Sequence, residues 1–460
     1  MRPSQYLRAL LLLLPAICSL QTLAADHYRF RVYLKDKGRL SSSPQQFLSP
    51  AAIERRARYG IAIDESDYPV SPLYLDSLRS CGASVVTVGK WLGTALVEAA
   101  DSSVASAIGR LSFVKEVRWV WKGEHAPAQA ARPRDTAMIG PSAAPLPGSV
   151  YGYADRQISM LNGKALHEKG FRGKGITIAV IDAGFNNADR MEAFRHTGVA
   201  AAFNVVSPAE SVFADDEHGV KVLSCMAANL PGIIVGSAPE ASYLLIKSED
   251  VRSEFPVEED YWLAAAELAD SAGAHVISSS VGYGLFDCEE LSYSASMLDG
   301  RSTLVSLAAG KAAGKGMLVL VCSGNEAGGD WGSLSFPADA RDVIAVGGVT
   351  ESKERASFSA WGATTDGRIK PDVVALGVNC AVMNSSGDLS LSSGTSFAAP
   401  VVAGLGACLW QALPHLTARE IARLIISSSS SFASPDSMTG YGLPDFAKAL
   451  NDSQYDGRAQ

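Results

Sequence analysis

The stretch LSSGTSFAAPVVAGLGACLW, residues 391 to 410, joins a turn of small residues to a long apolar run that contains a proline. Proline is tolerated in the first turn of a helix, whereas deeper in the helix it removes a backbone hydrogen bond and clashes with the preceding turn. The helix is therefore predicted to begin near Ser396. Residues 401 to 410 have no strongly polar position, which is typical of a helix buried on every side. A hydroxyl at the start of such a helix lies beside unpaired N–H groups and the positive end of the helix dipole.

The second part of the chain alternates apolar runs with helical stretches. Nearly continuous Val, Ile and Leu bounded by Gly, Asn or Asp are typical of a parallel sheet covered by helices on both faces. The predicted strands are ITIAVIDAGF, ASYLLIKSED, AHVISSSVGYG, GMLVLVCSGN and DVIAVGGVT. In an open sheet of this kind, the reacting groups collect at the carboxyl ends of the strands.

Three polar residues stand at such positions. Asp182 ends the first predicted strand, and Asn325 follows the strand GMLVLVCSGN, although aspartate and asparagine are also ordinary turn residues. His218 stands at the start of a predicted helix, where a surface histidine is common. Gly219 after it leaves room for a substrate or a neighbouring backbone. Each signal is weak alone, but together with Ser396 they form one chemical set.

A serine hydroxyl is a weak nucleophile near neutral pH, so it needs a base, and the base needs a third group to fix its tautomer. Ser396, His218 and Asp182 supply these three parts. Asn325 adds a side-chain donor suited to the negative oxygen of a tetrahedral intermediate. The sequence therefore predicts a hydrolase that uses a covalent serine intermediate.

Four motifs in this order resemble those of the subtilisin-like serine proteases, the subtilases: AVIDAGF, HGVKVLSCMAA, CSGN and SSGTSFAAPVVAG. The resemblance runs from about residue 151 to residue 449 and implies a three-layer α/β/α catalytic domain with a mainly parallel sheet. It implies that Asp182 orients the base, that His218 is general base and acid, and that Ser396 attacks. Asn325 and the backbone N–H of Ser396 would hold the oxyanion.

The resemblance also suggests where the substrate backbone binds. SSSVGYG is similar to the strand that pairs with substrate in the family, and CSGN contributes a glycine beside it. The implied substrate-binding residues are Ser280, Val281, Gly282 and Gly324. Val220 and Cys322 replace residues that are more common in the family, but neither change removes a catalytic atom.

The chain is predicted to contain two folded domains. Strand and helix patterns before residue 123 are typical of a small α+β domain, which resembles a protease propeptide that assists folding and covers the cleft. The stretch that follows is rich in Ala, Pro, Gly and Ser, as exposed linkers are. The predicted boundaries are 1–25 for a signal peptide, 26–122 for the propeptide-like domain, 123–150 for the linker, 151–450 for the catalytic domain and 451–460 for a tail.

The first 25 residues have the pattern of a secretory signal peptide: two arginines, a short apolar core and small residues at the end. The apolar run is broken too early for a membrane anchor, and no later stretch is predicted to span a bilayer. The protein is therefore expected to be secreted or periplasmic. The formal net charge of −8 argues against nucleic acid as a partner.

The expected partners are protein or peptide substrates and the chain's own propeptide, as intramolecular inhibitor or chaperone. No cofactor is expected to be required and no metal ligand is predicted; bound calcium, disulfide pairing and oligomeric state stay open. Four further histidines lack ligand spacing and are interpreted as surface or core residues: His167, His196, His275 and His415.

Three other function classes compete with the endopeptidase: an esterase, a catalytically silent binding protein and a nucleotide-binding enzyme. An esterase would place its serine in G-x-S-x-G and run Ser, Asp, His along the chain, whereas GTSFA lacks the second glycine and the order here is reversed. A catalytically silent binding protein on a protease fold stays possible, because residues of the right type can be misaligned. No nucleotide-binding glycine motif follows a predicted strand.

Overall fold

The computed structural model describes residues 27–38, 42–123, 137–327 and 333–456. The predicted signal peptide and residues 124–136 of the predicted linker lie outside these residues, so the boundaries of both segments stay predictions.

The front domain is a four-stranded antiparallel sheet with three short helices. Its elements are β1 (His27–Leu34), α1 (Pro50–Arg58), α2 (Pro72–Ser80), β2 (Ser84–Gly89), β3 (Thr94–Ala99), α3 (Val104–Gly109) and β4 (Val114–Gly123). The strand order is β2-β3-β1-β4, so the first described strand lies in the interior of the sheet. The mixture of strands and helices agrees with the small α+β domain predicted for this part of the sequence.

The second domain is built on a seven-stranded sheet in which every neighbouring pair of strands is parallel. The strand order is β15-β12-β11-β10-β5-β9-β6. The sheet strands are β5 (Thr177–Asp182), β6 (Gly198–Asn204), β9 (Ser242–Lys247), β10 (Val276–Ser279), β11 (Leu318–Cys322), β12 (Ile344–Val349) and β15 (Val373–Leu376). The sequence predicted the five inner strands but not the edge strands β6 and β15.

Within the described residues, short antiparallel pairs and eight α-helices surround this sheet. The pairs are β7 (Asn229–Leu230) with β8 (Ile234–Val235), β13 (Gly362–Ala363) with β14 (Ile369–Lys370), and β16 (Cys380–Met383) with β17 (Leu389–Ser392). The helices are α4 (Asp155–Ser159), α5 (Lys164–Glu168), α6 (His218–Ala227), α7 (Val257–Ala272), α8 (Leu304–Gly314), α9 (Thr395–Ala412), α10 (Ala418–Ser427) and α11 (Phe446–Asp456).

The helices form a layer on each face of the sheet. In β5, Ile178 and Val180 pack into the core that contains α6 and α9, whereas Ala179 and Ile181 pack into the core that contains α7 and α8. Successive side chains of a strand point to opposite faces, so one strand serves both cores. The predicted three-layer α/β/α arrangement is confirmed.

Helix α9 is long and apolar enough to meet a simple criterion for a membrane span, but 89% of that window is buried inside the protein. It is the central helix of one core, as its lack of polar positions predicted. No other described helix meets that criterion.

The front domain packs on the outer face of α7 through buried charges. Arg31 of β1 is 1% exposed and pairs with Glu259 (3.1 Å) and Asp260 (2.6 Å) at the first turn of α7. Near the other end of α7, the buried Asp270 pairs with Arg55 and Arg56 of α1. Because a buried charge is costly unless it is paired, these contacts hold the two domains in one relative position.

Candidate active site

Asp182 and His218 meet directly at the carboxyl edge of the sheet. Asp182 is the last residue of β5 and is fully buried, and His218 is the first residue of α6, as predicted. His218 Nδ1 lies 2.7 Å from Asp182 Oδ1, which also accepts the N–H of Ala183 at 2.8 Å. A carboxylate acceptor places the proton of the neutral ring on Nδ1 and leaves Nε2 with its lone pair.

Close backbone packing brings these two residues together. A methyl group on Gly219 would lie 2.4 Å from the carbonyl oxygen of Gly184 and 3.1 Å from Cβ of Asp182. The missing side chain therefore lets α6 approach the end of β5. The room predicted after His218 is used by a neighbouring backbone.

The environment of His218 favours its charged form. Burial, the largest influence, opposes the charge, but the carboxylate of Asp182, the hydrogen bond to it and the charge of Asp216 together raise the pKa of His218 above its ordinary value. The ring is still 33% exposed, so one side of it is open to the surface.

Ser396 is the second residue of α9, so the predicted start of this helix is confirmed to within one residue. Pro400, however, lies in the second turn rather than in the first. Its missing N–H would have bonded to the carbonyl of Ser396, four residues earlier. That carbonyl accepts the hydroxyl of Ser280 at 2.9 Å instead, which explains how the proline is tolerated there.

The Ser396 hydroxyl is 3.3 Å from the carbonyl oxygen of Ser280, to which it donates. No hydrogen bond joins it to His218 among the described residues. The helices that carry the two residues pack together, and the ring of Phe397, the residue after Ser396, lies 5.9 Å from the His218 ring, centroid to centroid.

The amide of Asn325 has a fixed orientation beside the start of α9. Its Oδ1 accepts the backbone N–H of Thr395 at 2.9 Å and the Thr395 hydroxyl at 3.0 Å. A backbone N–H can only donate, so Oδ1 is identified and Nδ2 faces the other way with its two hydrogens. Nδ2 lies 3.7 Å from the position that a Cβ on Gly394 would occupy.

The predicted substrate-binding residues lie along the same edge. Val281 is partly exposed and Gly282 is exposed, immediately after β10. Gly324 has φ +107° and packs against Ser335, where a Cβ would lie 2.4 Å from the serine Oγ. Cys322 lies beneath them with its thiol 3.8 Å from the carbonyl oxygen of Val281, and burial raises its pKa to about 12.

Two contributions at this site were not predicted from the sequence. Thr395 holds the Asn325 amide, and the Ser280 hydroxyl caps the carbonyl of Ser396. The i to i+4 spacing of Ser396 and Pro400 was a usable signal for the second, because it leaves one carbonyl in need of a donor.

Comparison with known proteins identifies the family. Residues 173–442 match the family model described as "Subtilase family", and residues 29–135 match "Peptidase S8 propeptide domain, Bacteroidota". The chain belongs to the subtilase family. This subtilase is therefore a serine endopeptidase, a hydrolase acting on peptide bonds, and its front domain is a propeptide domain.

Individual relatives agree with this assignment. Subtilisin E of Bacillus subtilis (strain 168) is 28% identical over 289 residues, which span 62% of this chain and 68% of that protein. Subtilisin Savinase of Lederbergia lenta is 28% identical over 287 residues, which span 62% of this chain and 94% of that protein.

Two solved structures share the fold of the subtilase. MycP1 with its N-terminal propeptide removed gives a TM-score of 0.52 at 22% identity, over 64% of this chain and 96% of that one. MycP3 protease from the type VII (ESX-3) secretion system gives a TM-score of 0.53 at 23% identity, over 71% of this chain and 98% of that one.

Other ionisable side chains of the subtilase have structural explanations. His167 is buried with Nδ1 3.0 Å from the Tyr151 hydroxyl and Nε2 3.0 Å from the Ser237 carbonyl oxygen, and burial lowers its pKa to about 4. The interpretation of His167 as a satisfied core residue is confirmed. His196 and His415 are exposed, as the surface alternative predicted.

The cysteines of the described residues are free thiols, and those on α6 and α9, Cys225 and Cys408, are buried in the core. In the same part of the chain, no group of three or more His, Cys, Asp or Glu side chains is arranged to hold a metal ion.

Proposed function

We propose that this subtilase is an exported endopeptidase that cleaves proteins or peptides through an acyl-enzyme on Ser396. The observation that carries the proposal is the 2.7 Å contact between His218 Nδ1 and Asp182 Oδ1. This contact fixes the tautomer and the orientation that a general base needs. It lies at the start of α6, which packs against α9, the helix that carries Ser396.

In the proposed reaction, His218 Nε2 takes the proton of Ser396 as the serine oxygen attacks the carbonyl carbon of the substrate. His218 then gives that proton to the leaving amine, and water releases the acyl group by the reverse steps. The Ser396 hydroxyl must first rotate away from the Ser280 carbonyl. Catalytic hydrogen bonds often tighten only when substrate binds, so this rotation belongs to substrate binding.

The negative oxygen of the intermediate would be held by Asn325 Nδ2 and the backbone N–H of Ser396. The second residue of a helix has no intrahelical acceptor for its N–H, and the dipole of the 18-residue α9 adds positive potential there. The substrate backbone would pair with Val281 and Gly282, whose position at the open end of β10 suits an added strand.

The front domain is proposed to cover this cleft until it is cut away. Its last strand ends at Gly123, and the Trp121 indole N–H lies 3.4 Å from Oγ of Ser253 in the segment between β9 and α7. That segment begins beside the site, because the N–H of Ser248 donates to the carbonyl of Asp182 at 3.0 Å. A leader over residues 1 to 25 would export the precursor.

A fluorophosphonate probe, which labels activated serines, tests this proposal. The wild-type protein should be labelled and should hydrolyse casein, whereas the Ser396→Ala variant should do neither. The variant should also accumulate as an uncut precursor, because the linker between the domains is the first exposed substrate. A short-chain ester serves as the comparison, since a true esterase would cleave the ester and leave casein intact.

Labelling of both the wild-type protein and the Ser396→Ala variant would show that another residue reacts with the probe. An identical cut between the domains in both would show that a host protease processes the chain.

A further inference from the structure

Three buried or partly buried carboxylates lie together at the edge of the proposed cleft and take no part in the reaction described above. They are Glu249, Glu254 and Glu258, here called the carboxylate cluster. Oε1 of Glu249 accepts the hydroxyl of Tyr283 at 2.8 Å. Tyr283 directly follows Gly282, so the cluster lies just behind the strand that is proposed to pair with substrate.

The backbone around the cluster is firmly held. The N–H of Glu254 donates to Asp287 Oδ2 at 2.9 Å, and the N–H of Asp287 donates to the Glu254 carbonyl at 3.0 Å. Oε1 of Glu258 accepts the N–H of Asp250 at 2.8 Å. These bonds join the segment before α7 to the loop after Gly282.

One oxygen of the cluster is left without a partner. Glu258 is 2% exposed, and its Oε2 has no hydrogen-bond partner within the described part of the chain. Burying such an oxygen without a donor is costly, so each case in a native structure calls for an explanation.

Among the described residues, the cluster also lacks a cation partner. Across the residues that the structure describes, no salt bridge involves Glu249, Glu254 or Glu258, whereas Glu259, Asp260 and Asp270 of the same region each pair with an arginine. Burial, then the charges of Glu249 and Glu254, raise the pKa of Glu258 well above its usual value. Burial raises the pKa of Glu249 to about 8 and, with Asp287, that of Glu254 to about 7.

We propose that the carboxylate cluster receives the side chain of a lysine or arginine of the peptide substrate. This inference rests on the proposed function and names the substrate class for the same site. A peptide paired with Val281 and Gly282 points alternate side chains into the protein. A basic side chain there would give Glu258 Oε2 its missing donor and would balance the charge.

An organic cation fits the cluster better than a metal ion does. The described residues provide no group of three carboxylate, histidine or thiolate ligands in a metal-binding arrangement, and the carboxylates of Glu249 and Glu258 are held by separate hydrogen bonds. A lysine or arginine side chain is long and carries several N–H donors, so it can instead donate to more than one buried carboxylate oxygen.

Paired fluorogenic peptides provide the test. In each pair, one residue on the N-terminal side of the scissile bond is arginine or norleucine, and all other residues are the same. The wild-type enzyme should have kcat/KM at least about tenfold higher for arginine at one position. The variant Glu258→Gln should lose most of that preference while its rate on the norleucine peptide stays within about threefold.

Two further variants complete the design. Glu249→Gln should reduce the same preference, so the proposal does not depend on one variant folding well. Glu290→Gln changes an exposed glutamate in the neighbouring loop and should leave the preference intact.

Equal hydrolysis of both peptides of every pair, dependent on Ser396, would overturn the cluster proposal and leave the endopeptidase standing. An unchanged arginine preference in Glu258→Gln and Glu249→Gln would also overturn it. Hydrolysis of no peptide at all would instead overturn the proposed function on which it rests.

Discussion

At the scale of single residues, the site depends on how neighbours fix the orientation of each reacting group. Asp182 fixes the His218 ring, and Thr395 fixes the amide of Asn325. Both orienting bonds end on an oxygen whose role as acceptor is unambiguous. The lone pair of His218 Nε2 and the two hydrogens of Asn325 Nδ2 are therefore left for the proposed reaction.

The raised pKa of His218 predicts the acid limb of the pH profile. A general base must be neutral, and a raised pKa keeps the ring protonated to a higher pH, so activity should fall as pH drops through a midpoint above the ordinary histidine value of about 6.5. Measurement of kcat/KM from pH 5 to 9 on a neutral peptide checks this.

Two charge-neutralising variants are expected to shift the acid limb of the pH profile in opposite directions. The charge of Asp216 raises the His218 pKa and that of Lys221 lowers it, so Asp216→Asn should move the acid limb to lower pH and Lys221→Gln to higher pH. A flat profile in the wild type, or shifts in the same direction, would contradict the role of His218.

Asn325 is expected to act mainly in the transition state. Asn325→Leu should reduce kcat by roughly 10²- to 10³-fold with little change in KM, the range the corresponding subtilisin donor shows. Thr395→Val keeps the backbone donor to Oδ1 and removes only the hydroxyl, so its loss should be clearly smaller. Steady-state kinetics of both variants distinguish a lost donor from a general disturbance of the site.

The four predicted reacting residues could be identified from the sequence because each combines a chemical type with a strand or helix end. The residues that hold them in place, Ser280 and Thr395, could not be predicted, because they act through contacts between distant parts of the chain. The carboxylate cluster was missed for the same reason: Glu249 and Glu258 are ordinary loop and helix residues until folding brings Tyr283 and Asp250 against them.

At the scale of elements, α9 combines a reactive start with a backbone irregularity one turn later. Pro400 removes a helical donor, and the Ser280 hydroxyl replaces it from the end of β10. The substitute bond ties the serine helix to the strand end that is proposed to bind substrate, beside the bond from the Ser396 hydroxyl to the Ser280 carbonyl.

A double-mutant cycle tests this substitution, in a Ser396→Ala background that prevents self-digestion. Ser280→Ala should lower the free energy of unfolding by about 1 to 3 kcal/mol, because it leaves the carbonyl of residue 396 buried without a donor. Pro400→Ala restores an N–H to that carbonyl, so Ser280→Ala should cost at least about 1 kcal/mol less in its presence. Urea unfolding followed by fluorescence measures both.

Equal costs in the two backgrounds would show that the serine and the proline are independent. The effect of Pro400→Ala on the unfolded chain cancels within the cycle.

The inner strands of the sheet were predictable because they are buried on both faces and read as unbroken apolar runs. The edge strands were not. β6 reads GVAAAFN, in which small residues carry little strand preference, and β15 has only four residues. Their place in the sheet comes from pairing with β9 and β12.

At the scale of the whole molecule, the propeptide domain and the catalytic domain are matched in charge. Residues 27–123 contain more Lys and Arg than Asp and Glu, whereas the complete chain has a formal net charge of −8. The match is made locally on α7, where buried acids meet arginines from β1 and α1. Lys90 and Trp91 add backbone N–H donors to Glu267, whose pKa is raised by burial to about 7.

Removal of Arg31 should therefore destabilise the precursor strongly. Arg31→Leu leaves Glu259 and Asp260 buried without their cation and should cost about 3 kcal/mol or more in the free energy of unfolding of the Ser396→Ala precursor. Arg58→Leu is the matched control, since Arg58 pairs with Glu54 at the surface and should cost less than about 1 kcal/mol. Equal unfolding midpoints for the two variants would rule out a stabilising role of the buried pairs.

The buried acids Glu259, Asp260 and Asp270 on α7 have a consequence for the lifetime of the enzyme if the front domain is removed as proposed. Their arginine partners in the described structure all belong to that domain. A cleaved molecule that unfolds would have to refold α7 against the mutual repulsion of its acidic side chains, without the arginines that pair with them in the precursor. The lifetime of the active enzyme would then be set by its unfolding rate, because the unfolded enzyme would not refold.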